Sequence, residues 1–223
     1  MPLQQDDVFS VTPLILDAAG QPTEEAWRCF QIRRNRLRAV RSHGRIPTGP
    51  VETCFCSGGS MALRKTAFLA LGGFAPVFKP FYSEDSDLGM RAWRRGWRSL
   101  FEPSSRVVHD HSHSSIKSHV PSLRVRRIRR RNQFIFEWVH LPVRDLLTRL
   151  LAGYIGQALG RLLRLDHVYF WGLAAALRRW PEVRAMRAAI AQQERLSFWA
   201  IMARVRASAT QGFAPDGPGS VRR

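Results

Sequence analysis

The sequence predicts an α/β arrangement in its first 120 residues followed by a helical region, and three observations carry that reading. Short runs rich in apolar and β-branched residues, at 8–16, 51–55 and ending in Val107-Val108, alternate with turn-rich and helix-like segments. From about Pro121 the turn signals thin out and stripes of apolar residues and arginine take over. A chain of 223 residues with 45% hydrophobic content can bury one core and carry an appendage. The expected organisation is an α/β part over 1–120, a basic amphipathic helical part over 121–207, and a disordered tail over 208–223 rich in Gly, Pro, Ser and Ala.

Taken in order, 8–16 reads as a buried strand closed by the turn chemistry of Asp17-Ala18-Ala19-Gly20-Gln21-Pro22. Thr23 caps an expected helix over 23–41, with Glu24 and Glu25 in its first turn and Trp27, Phe30, Leu37 and Val40 on one face. Arg33, Arg34, Arg36 and Arg38 then form its solvated side. A strand at 51–55 leads into the turn Ser57-Gly58-Gly59-Ser60, and a short helix at 64–71 ends on Gly72-Gly73. The loop at 75–82 is aromatic enough to stack on a ligand or to fill a core. Ser83 is a good N-cap for a helix with the body Leu88-Gly89-Met90-Arg91-Ala92-Trp93, which places Glu84, Asp85 and Asp87 in the first turn. Free N–H groups favour negative charge there, so helix capping alone accounts for three carboxylates. Further helices are expected over 123–139, 143–165, 168–179 and 181–206.

The formal net charge is +18, nearly all arginine, since only Lys65, Lys79 and Lys117 are lysine. The first 120 residues hold 16 basic and 11 acidic side chains and the rest 19 and 6, so the excess is C-terminal. Arginine suits phosphate. The 123–139 segment, with Phe134, Ile135, Phe136, Trp138 and Val139 after a basic run, either lies in an anionic lipid interface or packs onto the rest of the chain. A nucleic-acid footprint is disfavoured, because no recognised motif accompanies the arginines.

Three cysteines and no apolar leader beside Met1 point to a reducing cytoplasm. Arg161, Arg164 and Asp166 interrupt the run closest to the about 20 apolar residues of a spanning helix, so membrane contact would be peripheral, at the inner face of the cell membrane. Cys54-x-Cys56 and His109-Asp110-His111-Ser112-His113 invite a zinc reading, but with a distant Cys29 they lack the usual ligand spacing.

Five blocks decide the functional reading: Ser57-Gly58-Gly59-Ser60-Met61-Ala62-Leu63-Arg64-Lys65, Leu71-Gly72-Gly73-Phe74, Glu84-Asp85-Ser86-Asp87-Leu88, Arg95-Gly96-Trp97-Arg98 and Val107-Val108-His109. In order and spacing they resemble the second half of a family 2 glycosyltransferase of the GT-A fold. The resemblance implies a partial GT-A mixed sheet without the N-terminal nucleotide-binding half and its Asp-x-Asp motif, Asp6-Asp7-Val8 falling just after that motif. It implies inverting transfer of a sugar from a nucleotide-sugar donor to a carbohydrate or lipid-linked acceptor, in cell-envelope polysaccharide or glycolipid synthesis.

By the same resemblance Asp85 is the general base, and Glu84 and Asp87 support it by binding acceptor hydroxyls or orienting the loop. Gly58, Gly59 and Ser60 lie beside the donor diphosphate and the acceptor, although a plain tight turn would look the same. His109 is a ligand of a divalent metal, Mg²⁺ or Mn²⁺, and Arg131 and Asn132 reach the donor diphosphate. The competing expectation is a non-catalytic fragment whose helical end binds membrane or nucleic acid.

Overall fold

The computed structural model describes residues 2–23, 27–41, 45–109 and 119–211. As expected, strands and short helices come first and a helical region follows. β1 (Val8–Leu16) runs parallel to the later strand β6 (Arg98–Val108), while β4 (Val51–Glu52) and β5 (Ala62–Leu63) add antiparallel edges. The result is a mixed four-stranded sheet in the order β4-β6-β1-β5. β4 is shorter than the 51–55 run because the chain leaves the sheet: Thr53 N–H donates to Ser99 O, and Cys54 N–H turns away to Arg28 O.

The helix expected over 23–41 is instead a hairpin of β2 (Arg28–Arg33) and β3 (Arg36–Arg41), paired from Arg28 with Arg41 to Arg33 with Arg36. Arg34 and Asn35 at its tip both have positive φ, 49° and 54°, the two-residue turn that matches strand twist and that Asn tolerates. In Arg36-Leu37-Arg38-Ala39 the polar and apolar residues alternate with period two, a strand pattern that the arginine-rich composition disguised as a helix face.

Between the strands sit α1 (Lys65–Ala70) and α2 (Glu84–Arg94). The helical region comprises α3 (Ser122–His140), α4 (Val143–Asp145), which continues through a π-helical turn (Leu146–Leu150) into α5 (Leu151–Leu162), then α6 (His167–Leu177), α7 (Trp180–Gln193) and α8 (Phe198–Gln211). The single helix expected over 181–206 is two. Between them the backbone turns back, with Arg195 N–H on Arg94 O and Ser197 Oγ accepting from Ala200 N–H at the start of α8. α8 runs through Gln211, so the first four residues of the tail expected to be disordered are helical, and 212–223 lie outside the described residues.

One hydrophobic cluster unites these parts: Phe30 and Leu37 of the hairpin, Trp93 of α2, Phe134 to Val139 of α3 and Phe198, Ile201 and Met202 of α8. The α3 aromatics offered to a lipid interface therefore belong to the core, and the packing alternative holds for them. α8 is also stitched to the sheet, where Arg204 forks onto Glu52 at 2.8 to 3.1 Å and Ser208 Oγ accepts from Glu52 N–H.

Gly153 marks where α5 meets the hairpin tip, since a Cβ there would stand 2.0 Å from Asn35 O, whereas one at Gly156 would meet nothing. Gly153→Ala is expected to destabilise the fold by about 1–3 kcal/mol through overpacking. Gly156→Ala is expected to leave stability unchanged or raise it by up to about 1 kcal/mol, as helix propensity dictates. Urea denaturation of the two variants checks the contrast.

Candidate active site

Asp85 and the glycine turn come together from separate elements. Ser57 N–H reaches Thr12 Oγ1 of β1 at 3.5 Å, and Ser57 O receives the N–H groups of Ser60 and Met61 at 3.1 and 2.9 Å, which fixes the bend. Across from it, α2 can approach because residue 89 is glycine: a Cβ there would lie 2.9 Å from Cys54 O and from Cys56 Sγ. The approach puts Asp85 against Gly58, with Asp85 Cβ and Oδ2 3.6 and 3.9 Å from where a Gly58 Cβ would stand. His109 follows β6 directly, its N–H held by Leu16 O of β1 at 2.8 Å, and its imidazole Cε1 lies 3.7 Å from the corresponding point at Gly59. The base candidate and the metal-ligand candidate thus flank neighbouring residues of one turn.

The Asp85 carboxylate accepts from Ser86 N–H at 2.7 Å and Ser86 Oγ at 3.3 Å, both on Oδ1, and from the Gly58 N–H. Burial nevertheless wins and raises its pKa above the ordinary aspartate value, the hydrogen bonds offsetting only part of the desolvation. Glu84 is also raised, first by burial and then by the neighbouring Asp85. Glu84 Oε2 and Ser60 Oγ are buried with no hydrogen-bond partner among the described residues.

Three expected binding residues are held by protein partners. Asp87 is fully buried, with Oδ2 held by Arg91 at 2.8 Å and Oδ1 by His140 Nε2 at 2.9 Å, contacts that anchor the start of α2 to the end of α3. Asn132, also fully buried, donates its amide to the carbonyls of Phe78, Phe81 and Tyr82 at 2.6 to 2.8 Å and does not reach a diphosphate. Arg131 bonds to Lys79 O on that loop and to Asn132 Oδ1 beside it on α3. Ser83 does stand at the N-cap of α2, but it makes no side-chain cap. Tyr82 and Ser83 both sit at φ 73°, a left-handed backbone that costs non-glycine residues energy and that the Asn132 amide helps to hold.

His140 is the residue that sequence reasoning missed. It lies 53 positions from its partner Asp87, and nothing in Trp138-Val139-His140-Leu141 announces it. Burial lowers its pKa against the opposing pull of Asp87, which favours the neutral ring, and Nδ1 is buried without a partner among the described residues. The zinc reading finds no support in the cysteines: Cys54 Sγ bonds to Arg28 O, and Cys56 Sγ lies by Ser10 Oγ and Ser99 Oγ with its thiol pushed up to about 11 by burial. His111 and His113 lie outside the described residues. Among the described residues no group of three or more His, Cys, Asp or Glu side chains is arranged to hold a metal ion, and His109 alone does not make a site for one.

The mixed sheet thus sets a half-buried aspartate at a helix start against a glycine turn, and comparison with known proteins names the class. The model described as glycosyl transferase family group 2 matches residues 3–201. The chain belongs to that family. Two relatives, the N-acetylglucosaminyl-diphospho-decaprenol L-rhamnosyltransferases of Mycobacterium tuberculosis strains CDC 1551 / Oshkosh and ATCC 25618 / H37Rv, are each 32% identical over 117 residues. The match covers 46% of this chain and 38% of each relative, so well under half of the relatives' length is represented. Among solved structures, GalNAc-T7 with UDP, GalNAc and Mn²⁺ aligns over 62% of this chain and 28% of that one, at 19% identity and a TM-score of 0.42.

A carboxyl group with a raised folded pKa favours the folded state most below its unfolded pKa and loses that advantage as pH rises through the folded value. Asp85→Asn is therefore expected to melt above the parent protein at pH 7, by a margin that shrinks as pH is lowered toward the ordinary aspartate pKa. Thermal melts across pH 4–8 check the sign.

Proposed function

We propose that this chain carries the acceptor side of an inverting, metal-dependent glycosyltransferase, with Asp85 as general base. The observation that supports this best is a half-hidden carboxylate of raised pKa placed against the Gly58-Gly59 turn in a member of this family. A base for sugar transfer must hold its charge in a partly dry site yet accept a proton near neutral pH, and burial at Asp85 biases it that way. Ser86 occupies Oδ1, so Oδ2 is the oxygen to meet the acceptor.

In the proposed step the acceptor oxygen bonds to the anomeric carbon and its proton passes to Asp85. The bond from that carbon to the nucleoside diphosphate breaks, and the electron pair leaves with the diphosphate. Glu84 Oε2 and Ser60 Oγ, buried without partners, would hydrogen-bond substrate hydroxyls, while Gly58 and Gly59 let the sugar or diphosphate approach the backbone. His109 would give one ligand to a divalent ion, Mg²⁺ or Mn²⁺, which would supply Lewis-acid stabilisation of the departing diphosphate. The related rhamnosyltransferases are named for a diphospho-decaprenol acceptor, which favours a lipid-linked saccharide of the cell envelope as acceptor here and the cytoplasmic membrane face as its setting.

In an enzyme that contains this segment together with its donor-binding part, Asp85→Asn is expected to lower turnover by about 10²–10⁴-fold, the contribution of one general base. Binding of the nucleotide sugar, measured by calorimetry, is expected to survive. Turnover within a few-fold of the parent would remove Asp85 from the role.

A further inference from the structure

The helical arm from α4 through α5 carries an apolar face that the described residues leave uncovered. Leu147, Leu151, Ile155, Leu159 and Leu162 follow one another at steps of four, four, four and three, so they share one side of the arm, and they are 46–61% exposed. Leu163 and Leu165 extend the patch at its end, 86% and 84% exposed. The opposite side of the arm is anchored: Leu150 and Gln157 are buried, Tyr154 OH donates to Glu137 of α3 at 2.5 Å, and Gly153 rests on the hairpin tip. The outward direction of the leucines is thus set by the fold. A contiguous exposed apolar stripe of this kind marks an interaction surface.

Charge identifies the partner. Arg144 and Arg149 stand at one end of the stripe and Arg161 and Arg164 at the other. The two acids of this stretch pair with two of these arginines, Asp145 with Arg149 and Asp166 with Arg161, so four arginines less two acids leave the stretch a net +2. An apolar helix face bracketed by arginines complements the boundary between acyl chains and anionic headgroups. Two copies pressed together through this face would instead bring arginine-rich ends of a +18 chain into proximity. No described helix is long and apolar enough to cross a membrane, so the arm would lie in the plane of the surface.

We propose that the outer face of α5 and the π-helical turn before it docks in-plane on an anionic lipid bilayer. The α3 aromatics are core and do not supply this contact. The inference goes beyond the reading of the active site and does not depend on it, because its test reads lipid binding and not sugar transfer.

The test is co-sedimentation of the whole chain with vesicles of phosphatidylcholine alone and of phosphatidylcholine with phosphatidylglycerol. It is repeated for a Leu151→Glu, Ile155→Glu, Leu159→Glu variant whose fold is verified by circular dichroism. These positions are exposed, so the variant is expected to fold. The parent is expected to bind the anionic vesicles, less so as salt rises, and the variant to bind at least roughly tenfold more weakly. Equal binding by parent and variant would overturn the proposal, since the arginines elsewhere would then suffice. So would failure of the parent to bind anionic vesicles, whether or not sedimentation equilibrium reveals a self-association that the variant abolishes.

Discussion

The carboxylate of Asp87, fully buried and shared between Arg91 and His140, is the constraint on which the site depends. A charge in that position is tolerable only while both partners hold it, and removing one partner of such a buried set costs about 3–5 kcal/mol. The node ties the first turn of α2 to the last turn of α3. Asp85 lies two residues before it, so the node also sets where the proposed base can stand.

α3 fixes the preceding loop by a second device. The Asn132 amide gathers three carbonyls of 78–82, and Arg131 adds Lys79 O, which helps hold Tyr82 and Ser83 in their left-handed conformation before α2 begins. The helical region therefore shapes the site even though it lends no side chain to the glycine turn. The remaining parts come from the sheet, with the bend pinned to β1 and His109 delivered at the end of β6 beside β1. A continuous hydrophobic cluster from the hairpin to α8 keeps these contributions in register.

Much of this was legible in the sequence. The strand at β1, the short helix α1, the glycine bend and the start of α2 are written in local chemistry, and a resemblance in five spaced blocks brought Asp85, Gly58, Gly59 and His109 to one place. The hairpin was not, because its six arginines outweighed a period-two alternation and the turn at Arg34-Asn35 lacks a glycine. Asp87 and Asn132 were seen as polar residues near a site, but whether a polar side chain faces substrate or another helix is a matter of tertiary partners. His140, Phe78 and Tyr82 lie about 50 positions away in each case. The lipid-facing pattern was sought on α3, where basic and aromatic residues follow one another. Packing consumed those aromatics and left the plainer leucine stripe of α5 outside.

The central claim is that residue 85 is a carboxylate kept hungry for protons by its seat against the glycine turn. Carbon-13 NMR titration of its side-chain carboxyl, assigned by comparison with the Asp85→Asn variant, reads this directly. The account expects a midpoint above the about 3.9 of an ordinary aspartate. A midpoint at or below that value would show a solvated or cation-paired carboxylate, and the proposed base would have no physical basis.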